Sequence, residues 1–294
     1  MLPEDHIRRN KRATLAVCLF MLILLFSVIF AFGFTLGFPP VFSFAIGLPI
    51  ALLYVVVSYN FSVKSVLSAA KARPTNPRNR QEKLFMYKVE EMAIAAGLPV
   101  PQAYIQDSSD INAFATGRNP EEAIICVTTG ALEKLNAEEL EGVMSHEMSH
   151  IANRDILVST VTVGVVGAIA LIVEILLRSL FYGAGRQRGK NAGPLIIVAV
   201  VFAILAPLFS RLAYLFMSRR REYLADANGA MLSRNPEGLA SALRKIKADL
   251  PDDPKGSKTV APLYIANPFK RARRSSIWAT HPPLDERIER LKAM

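Results

Sequence analysis

The sequence has little of what small secreted and nucleic-acid-binding proteins rely on. Its 294 residues include two cysteines, Cys18 and Cys126, with no CxxC spacing. That excludes a disulfide framework and fits a reducing compartment. Internal repeats and long low-complexity tracts are missing. No basic stripe interleaved with aromatics occurs, so nucleic acid is not an expected partner despite a net charge of +10. Histidine is scarce, at four residues. Charge is absent altogether from Ala13 to Tyr59. That run is too long for one membrane span of about 20 residues and right for two.

What is present reads as a membrane protein with a polar remainder. Hydrophobic residues make up 51% of the chain, and basic residues cluster beside the apolar segments. Anionic phospholipid is the economical counter-charge. Residues 1–12 carry Arg8, Arg9, Lys11 and Arg12. The first hairpin, 13–59, turns at Phe38-Pro39-Pro40, because proline ends helices and constrains its predecessor. A cleaved signal peptide does not fit, since the apolar stretch exceeds about 7–15 residues and a second span follows directly. Lys64, Lys71, Arg73, Arg78 and Arg80 flank the far side, so the positive-inside rule puts both flanks in the cytoplasm.

Residues 60–155 form the first part of the soluble domain. Residues 73–77 read as a linker. Asn79 with Glu82 reads as a capping box opening a helix that ends near Gly97. Residues 103–107, 112–116 and 123–128 read as short strands. A second apolar pair, Ile156–Leu177 and Leu195–Met217, occupies 156–217. Its charges Glu174 and Arg211 either face each other or snorkel to an interface. Arg178, Arg186, Arg188 and Lys190 between the two segments run against a full crossing, which a dipping hairpin would satisfy. Four spans are the expectation. Residues 218–294 then complete the soluble part: Arg219-Arg220-Arg221 faces lipid headgroups, and helices cover 222–230, 235–248 and 284–293.

The chemistry centres on His146-Glu147-Met148-Ser149-His150, an H-E-x-x-H run. Asn136 and Glu139 form a capping box before it, and Leu140, Val143, Met144 and Ile151 recur at helical spacing. His146 and His150 therefore lie one turn apart on one face, where two imidazoles can grip one Zn²⁺. Chance supplies this pattern in about one chain in a hundred of this length, so a third ligand is needed to raise it above coincidence. Glu222 supplies one. Asp226, a turn later, can accept a ligand imidazole's N–H and fix its tautomer. Glu147 stands where a carboxylate can take a proton from the attacking water. An antiparallel hairpin at 156–217 would return the two ligand segments to one side of the membrane.

HEMSHIANRD (146–155), EYLADANGA (222–230), NAFATG (112–117) and THPPLDERI (280–288) together resemble the HtpX-type membrane metalloproteases, related more distantly to the CAAX prenyl endopeptidases. The resemblance runs over most of the chain. It implies a mainly α integral membrane protein with four transmembrane helices in two hairpins. To these it adds a cytosolic α+β gluzincin-like metalloprotease domain containing a small β-sheet. It implies one Zn²⁺ per chain on His146, His150 and Glu222, with Glu147 as catalytic base, and quality control of misfolded membrane proteins at the inner membrane under stress. Asp155, from the matched HExxHxxxxD pattern, would order the ligands with Asp226. Asn112, Ala113, Phe114 and Ala115 would lie along substrate, although the pattern alone reads them as a packed strand. His281, and with it Arg287, would stabilise the developing oxyanion, although a lone loop histidine is ordinarily incidental.

Three other readings meet specific residues. An intramembrane-cleaving protease would place its H-E-x-x-H inside an apolar span, whereas Glu138, Glu139, Glu141 and Asn153-Arg154-Asp155 surround this one. A prenyl-protein endopeptidase needs a larger chamber than four spans supply. A non-enzymatic scaffold or chaperone with structural zinc has no use for Glu147.

Overall fold

The structure, a computed structural model, describes residues 3–35, 37–163, 174, 178, 219–251, 260–269 and 282–294. Helices α1 (Pro3–Thr35) and α2 (Pro40–Ala70) fold back on each other through the Gly37–Pro39 turn. Both are long and apolar enough to cross a membrane. The side-chain distribution of α2 is inside out. Helix α2 buries Ser43, Gly47, Ala51, Ser58 and Ser62, while Val41, Phe44, Ile50, Leu53 and Phe61 stand exposed. Small residues that let helices approach, with large apolar ones turned outward, suit lipid rather than water. Helix α2 continues past Tyr59 to Ala70 and stops on Lys71 in the left-handed conformation, φ 52°.

The segment read as a linker contributes a strand instead. Strand β1 (Ala72–Pro74) pairs antiparallel with β2 (Gln102–Gln106); as the edge strand it tolerates a proline. Helix α3 (Arg80–Ala96) starts on Asn79, whose side chain accepts the Gln81 and Glu82 N–H groups. The expected capping box does not close, because Glu82 turns away from Asn79. Its carboxylate takes two hydrogen bonds from Arg73 (2.9 and 3.1 Å) and one from the Asn76 N–H (2.6 Å). Helix α3 is thereby tied to β1.

Strands β3 (Ala113–Thr116) and β4 (Ile124–Thr128) complete a sheet of order β1-β2-β4-β3. Pair β2/β4 is parallel and β3/β4 antiparallel, with Phe114 opposite Cys126. Strand β3 is the second edge. Thr128 N–H donates to Asn112 O, so in the alternating ladder Ala113 and Ala115 direct their backbone groups away from β4.

Short α4 (Thr129–Lys134) leads into α5 (Ala137–Ala152), around which the soluble part is packed. The Asn136–Glu139 capping box forms, at 2.8 and 2.9 Å. Glu139 also accepts from Ser241 and Lys245 of α7 (Pro236–Asp249). Helix α5 is buried on nearly every side, with Val143, Met144, Met148 and Ile151 in one core with Phe85, Ile105, Ile125, Leu239 and Leu243. Gly142 makes this possible: a Cβ there would stand 2.5 Å from the Leu239 backbone nitrogen. Helix α6 (Arg219–Ser233) lies along α5, and α8 (Leu284–Lys292) closes the domain.

After α5, Arg154 takes a left-handed conformation (φ 57°) and a helical stretch, 155–163, begins. Its Val161 and Leu157 join Val17, Met21 and Leu25 of α1 and Ala51 of α2 in a separate apolar cluster. Of the second hydrophobic pair, most lies outside the described residues, Arg211 included. Glu174 pairs one turn along its own helix with Arg178, at 2.5 Å.

Candidate metal centre

Helix α5 presents His146 and His150 from one face, their rings perpendicular with centroids 4.8 Å apart. Their Nε2 atoms stand 3.3 Å from each other. Helix α6 brings Glu222 opposite, with Oε2 3.9 Å from His146 Nε2 and Oε1 3.8 Å from His150 Nε2. This closeness depends on Gly229, whose Cβ, if present, would lie 3.0 Å from the His146 backbone nitrogen. Four ligands at about 2.0–2.1 Å around tetrahedral zinc stand about 3.3–3.4 Å apart. The two Glu222 distances run to different oxygens; with one ligand atom from each residue the three donors lie within 4.8 Å of one another, and they fit such an ion by drawing together around it. Among the described residues they are the group of three or more His, Cys, Asp or Glu side chains able to hold one.

The other ring nitrogens explain why these lone pairs converge. His146 Nδ1 lies 2.9 Å from Asp226 Oδ1, and His150 Nδ1 lies 3.4 Å from Asp155 Oδ2. Each carboxylate fixes an Nδ1–H tautomer and leaves Nε2 free to ligate. Asp226 is itself held by Arg287, through Nε to Oδ2 (2.8 Å) and Nη2 to Oδ1 (2.7 Å). Arg287 Nη1 donates to Ile265 O at 2.8 Å and lies 3.9 Å from Glu222 Oε2. Asp155 has its own support: Arg221 Nη1 at 3.7 Å and Asn10 Nδ2 at 2.6 Å.

Electrostatics follows from burial. Burial lowers His146 to about 4, Arg287 and His150 adding to the effect against Asp226. Burial also weighs against charge on His150, but Asp155, Glu222 and Glu147 overcome it and hold that imidazole at about 9. Asp226 is kept down at about 2, since Arg287 and His146 outweigh its desolvation. Glu147 is pushed up to about 7 by burial, with Glu222 adding and His150 and the Ala115 N–H hydrogen bond opposing. A dication at the convergence point favours neutral imidazoles and charged carboxylates, and so reverses the balance at His150 and Glu147.

Over these donors lies a cavity of about 30 Å³, bounded by Ala115, Glu147, Ser159, Leu263 and Tyr264 among others, room for about two waters. Residues 262–265 form one wall. Ile265 N–H donates to Ala113 O at 2.9 Å, on the outward edge of β3.

The sequence-derived residues divide accordingly. His146, Glu147, His150, Glu222, Asp226 and Asp155 come together in one site. Of the four strand residues, Ala115 lines the cavity and Ala113 carries the strand-edge carbonyl. Asn112 and Phe114 do not face the cavity. Asn112 is buried, donating to Ala266 O and accepting from Ala113 N–H, and Phe114 packs against Tyr264 with ring centroids 5.7 Å apart. Arg287 is fully buried and behind the ligands rather than facing substrate, because Asp226 and Ile265 O occupy its donors. Arg221, expected at headgroups, is buried against Asp155. His281 lies outside the described residues. Asn10 was not expected here at all. Its one signal is its place on a helical stripe with Thr14, Val17, Met21 and Leu25, all buried.

Comparison with known proteins gives the chain's family. The model of peptidase family M48 matches residues 79–294. The "Protease HtpX homolog" of Thermoanaerobacter pseudethanolicus is 43% identical over 293 residues, covering 97% of this chain and 95% of that one. The protein of the same name from Streptococcus uberis is 40% identical over 301 residues, covering 99% of each. The crystal structure of S. mikatae Ste24p shares the fold at a TM-score of 0.51 and 16% identity, over 98% of this chain and 66% of that one. A family match over residues 79–294 and four residues in ten shared along the whole length leave one conclusion: this chain belongs to peptidase family M48, among the HtpX-type membrane-anchored metalloproteases.

Proposed function

We propose that this protein is a zinc endopeptidase of the cell membrane that cuts misfolded membrane proteins, and some soluble ones, at the cytoplasmic face. The observation that carries the reading is the convergence of two carboxylate-oriented imidazoles with Glu222 beside a buried Glu147. His146, His150 and Glu222 would hold the ion. Zinc, when bound, supplies a Lewis acid that polarises the scissile carbonyl and acidifies water. Glu147 takes the proton from the attacking water on a carboxylate oxygen and hands it to the departing amine nitrogen. Ala115 N–H orients that carboxylate. His281 is assigned to the oxyanion by resemblance, and Arg287 to holding Asp226. An extended peptide would lie along the outward edge of β3 by taking over the Ala113 carbonyl, which accepts from Ile265 N–H in this structure.

Membrane placement follows from the same chain. The exposed apolar faces of α1 and α2 suit lipid, and the basic flanks support a cytoplasmic position for both termini and the ligands, beside anionic headgroups. We assign 156–217 a second crossing, making four spans. Cysteine labelling of the 183–193 loop from outside intact cells tests it: labelling supports a full crossing, and protection supports a dipping hairpin.

The enzymatic reading is tested by Glu147→Gln. The purified variant in detergent with zinc retains fold and metal but cleaves an unfolded model substrate at least about 10²-fold more slowly. Undiminished cleavage with intact zinc would refute the mechanism. A wild type that cleaves nothing favours the scaffold reading.

A further inference from the structure

The first hydrophobic helix reaches into the metal centre. Asn10, on the N-terminal part of α1, is 3% exposed although it sits among basic residues. Its carboxamide uses both N–H groups on one target. Nδ2 donates to Asp155 Oδ1 at 2.6 Å and to the Asn153 carbonyl at 3.0 Å. The fork thus spans the turn that leaves α5, whose middle residue, Arg154, has a left-handed backbone (φ 57°). Asp155 uses its other oxygen on His150 Nδ1. An unbroken line of contacts runs from α1 through Asp155 to a metal-ligating imidazole.

We propose that Asn10 is a positioning residue for the metal centre, so that seating of α1 against 155–163 completes the ligand geometry. The proposal rests on the metal-site reading above. Its chemistry is specific. Asp155 must offer one oxygen to His150, and a carboxylate fixed at its second oxygen by a neutral donor keeps both its charge and its orientation. Arg221 Nη1, at 3.7 Å, neutralises that carboxylate but is too distant to fix it by a hydrogen bond. A purely mechanical tether would need only the apolar stripe Val17, Met21 and Leu25, already packed near Val161. The carboxamide adds direction to that packing.

The test uses the full chain in detergent and Zn²⁺ itself, with affinity measured by chelator competition and geometry by the absorption of the Co²⁺-substituted protein. Asn10→Ala is expected to weaken zinc binding at least about tenfold, the lower range for losing a group behind a metal ligand, and to shift the Co²⁺ spectrum. In the Asp155→Ala background the same change should add nothing, because the route to His150 is already cut. Thr14→Ala, a turn along the same buried face with its hydroxyl on its own helix (Asn10 O, 3.0 Å), should leave zinc affinity unchanged. Asn10→Asp keeps the size, removes both donors and sets two carboxylates together, so it supplies the same loss should the alanine variant not fold. Wild-type zinc affinity in folded Asn10→Ala or Asn10→Asp, additive loss with Asp155→Ala, or an equal loss in Thr14→Ala overturns the proposal. Stoichiometric zinc in His146→Ala would instead overturn the metal-site reading beneath it.

Discussion

Arg287 grips both oxygens of Asp226, at 2.7 and 2.8 Å, while Asp226 Oδ1 also stands 2.9 Å from His146 Nδ1. The last helix of the chain is therefore wired to His146, a proposed metal ligand 141 residues earlier. Arginine suits the role because its planar fork meets a carboxylate at two points and stays charged when buried.

Removing one partner of that pair leaves an uncompensated charge in the core. Arg287→Leu is expected to cost about 3–5 kcal/mol, and Arg287→Lys to recover only part of it. Thermal unfolding of the detergent-purified variants measures this. A leucine variant as stable as the wild type would show that the pair contributes nothing.

Metal content follows from the three converging donors. The wild type should carry one zinc per chain. His146→Ala, His150→Ala and Glu222→Ala should each lose nearly all of it on dialysis, as read by elemental analysis. Full zinc in any of them would remove that residue from the ligand set.

Gly229 touches no ligand atom, yet its substitution should disturb the site. A Cβ there meets the His146 nitrogen at 3.0 Å and the Ser145 carbonyl carbon at 3.2 Å, backbone atoms that cannot rotate away. Gly229→Val should cost about 1–3 kcal/mol by overpacking and push Glu222 and Asp226 off α5. Zinc affinity at wild-type level with α6 intact would contradict this.

Acid should loosen the soluble part through two named carboxylates. The Arg73 hydrogen bonds hold Glu82 below its ordinary 4.5 against the cost of burial, with Asn76 N–H assisting. Burial raises Glu139, but Lys245, Asn136 N–H and Ser241 outweigh it and the net direction is down. A carboxylate depressed in the folded state contributes stability that is complete above about pH 4.5 and disappears as pH falls through the folded value. The unfolding midpoint should therefore drop on acidification below pH 4.5. Glu82→Gln should be less stable at neutral pH and lose less on acidification; an unchanged pH slope would exclude Glu82 as a source.

What the sequence revealed divides by distance along the chain. His146 and His150 were legible because one helical turn places them together, and Glu222 and Asp226 because the same period applies on α6. The three strands were legible from β-branched and apolar runs between turns. Strand β1 was not, because three residues ending in Pro74 carry no alternation. Glu82 obeyed the spacing of a capping box but found Arg73, a stronger charged partner nine residues before it. Asn10 and Asp155 are 145 residues apart, and no local pattern in a basic N-terminal segment announces such a partner. Arg287 was found, but its direction was not: a helical arginine after H-P-P gives no sign that Asp226 will draw it inward.

If β3 is the substrate edge proposed above, the hydrogen bond from Ile265 N–H to Ala113 O sets an entry threshold for cleavage. A peptide laid along β3 would compete for that carbonyl with a segment already tethered beside it, and tethered groups act at effective concentrations on the order of mM. A short peptide offering one or two backbone contacts gains little by displacing it. A long, slack chain that brings many contacts at once overcomes the competitor, whereas a folded loop cannot extend far enough to try. Selection for unfolded substrates would then need no recognition sequence, because the cleft's own backbone does the rejecting.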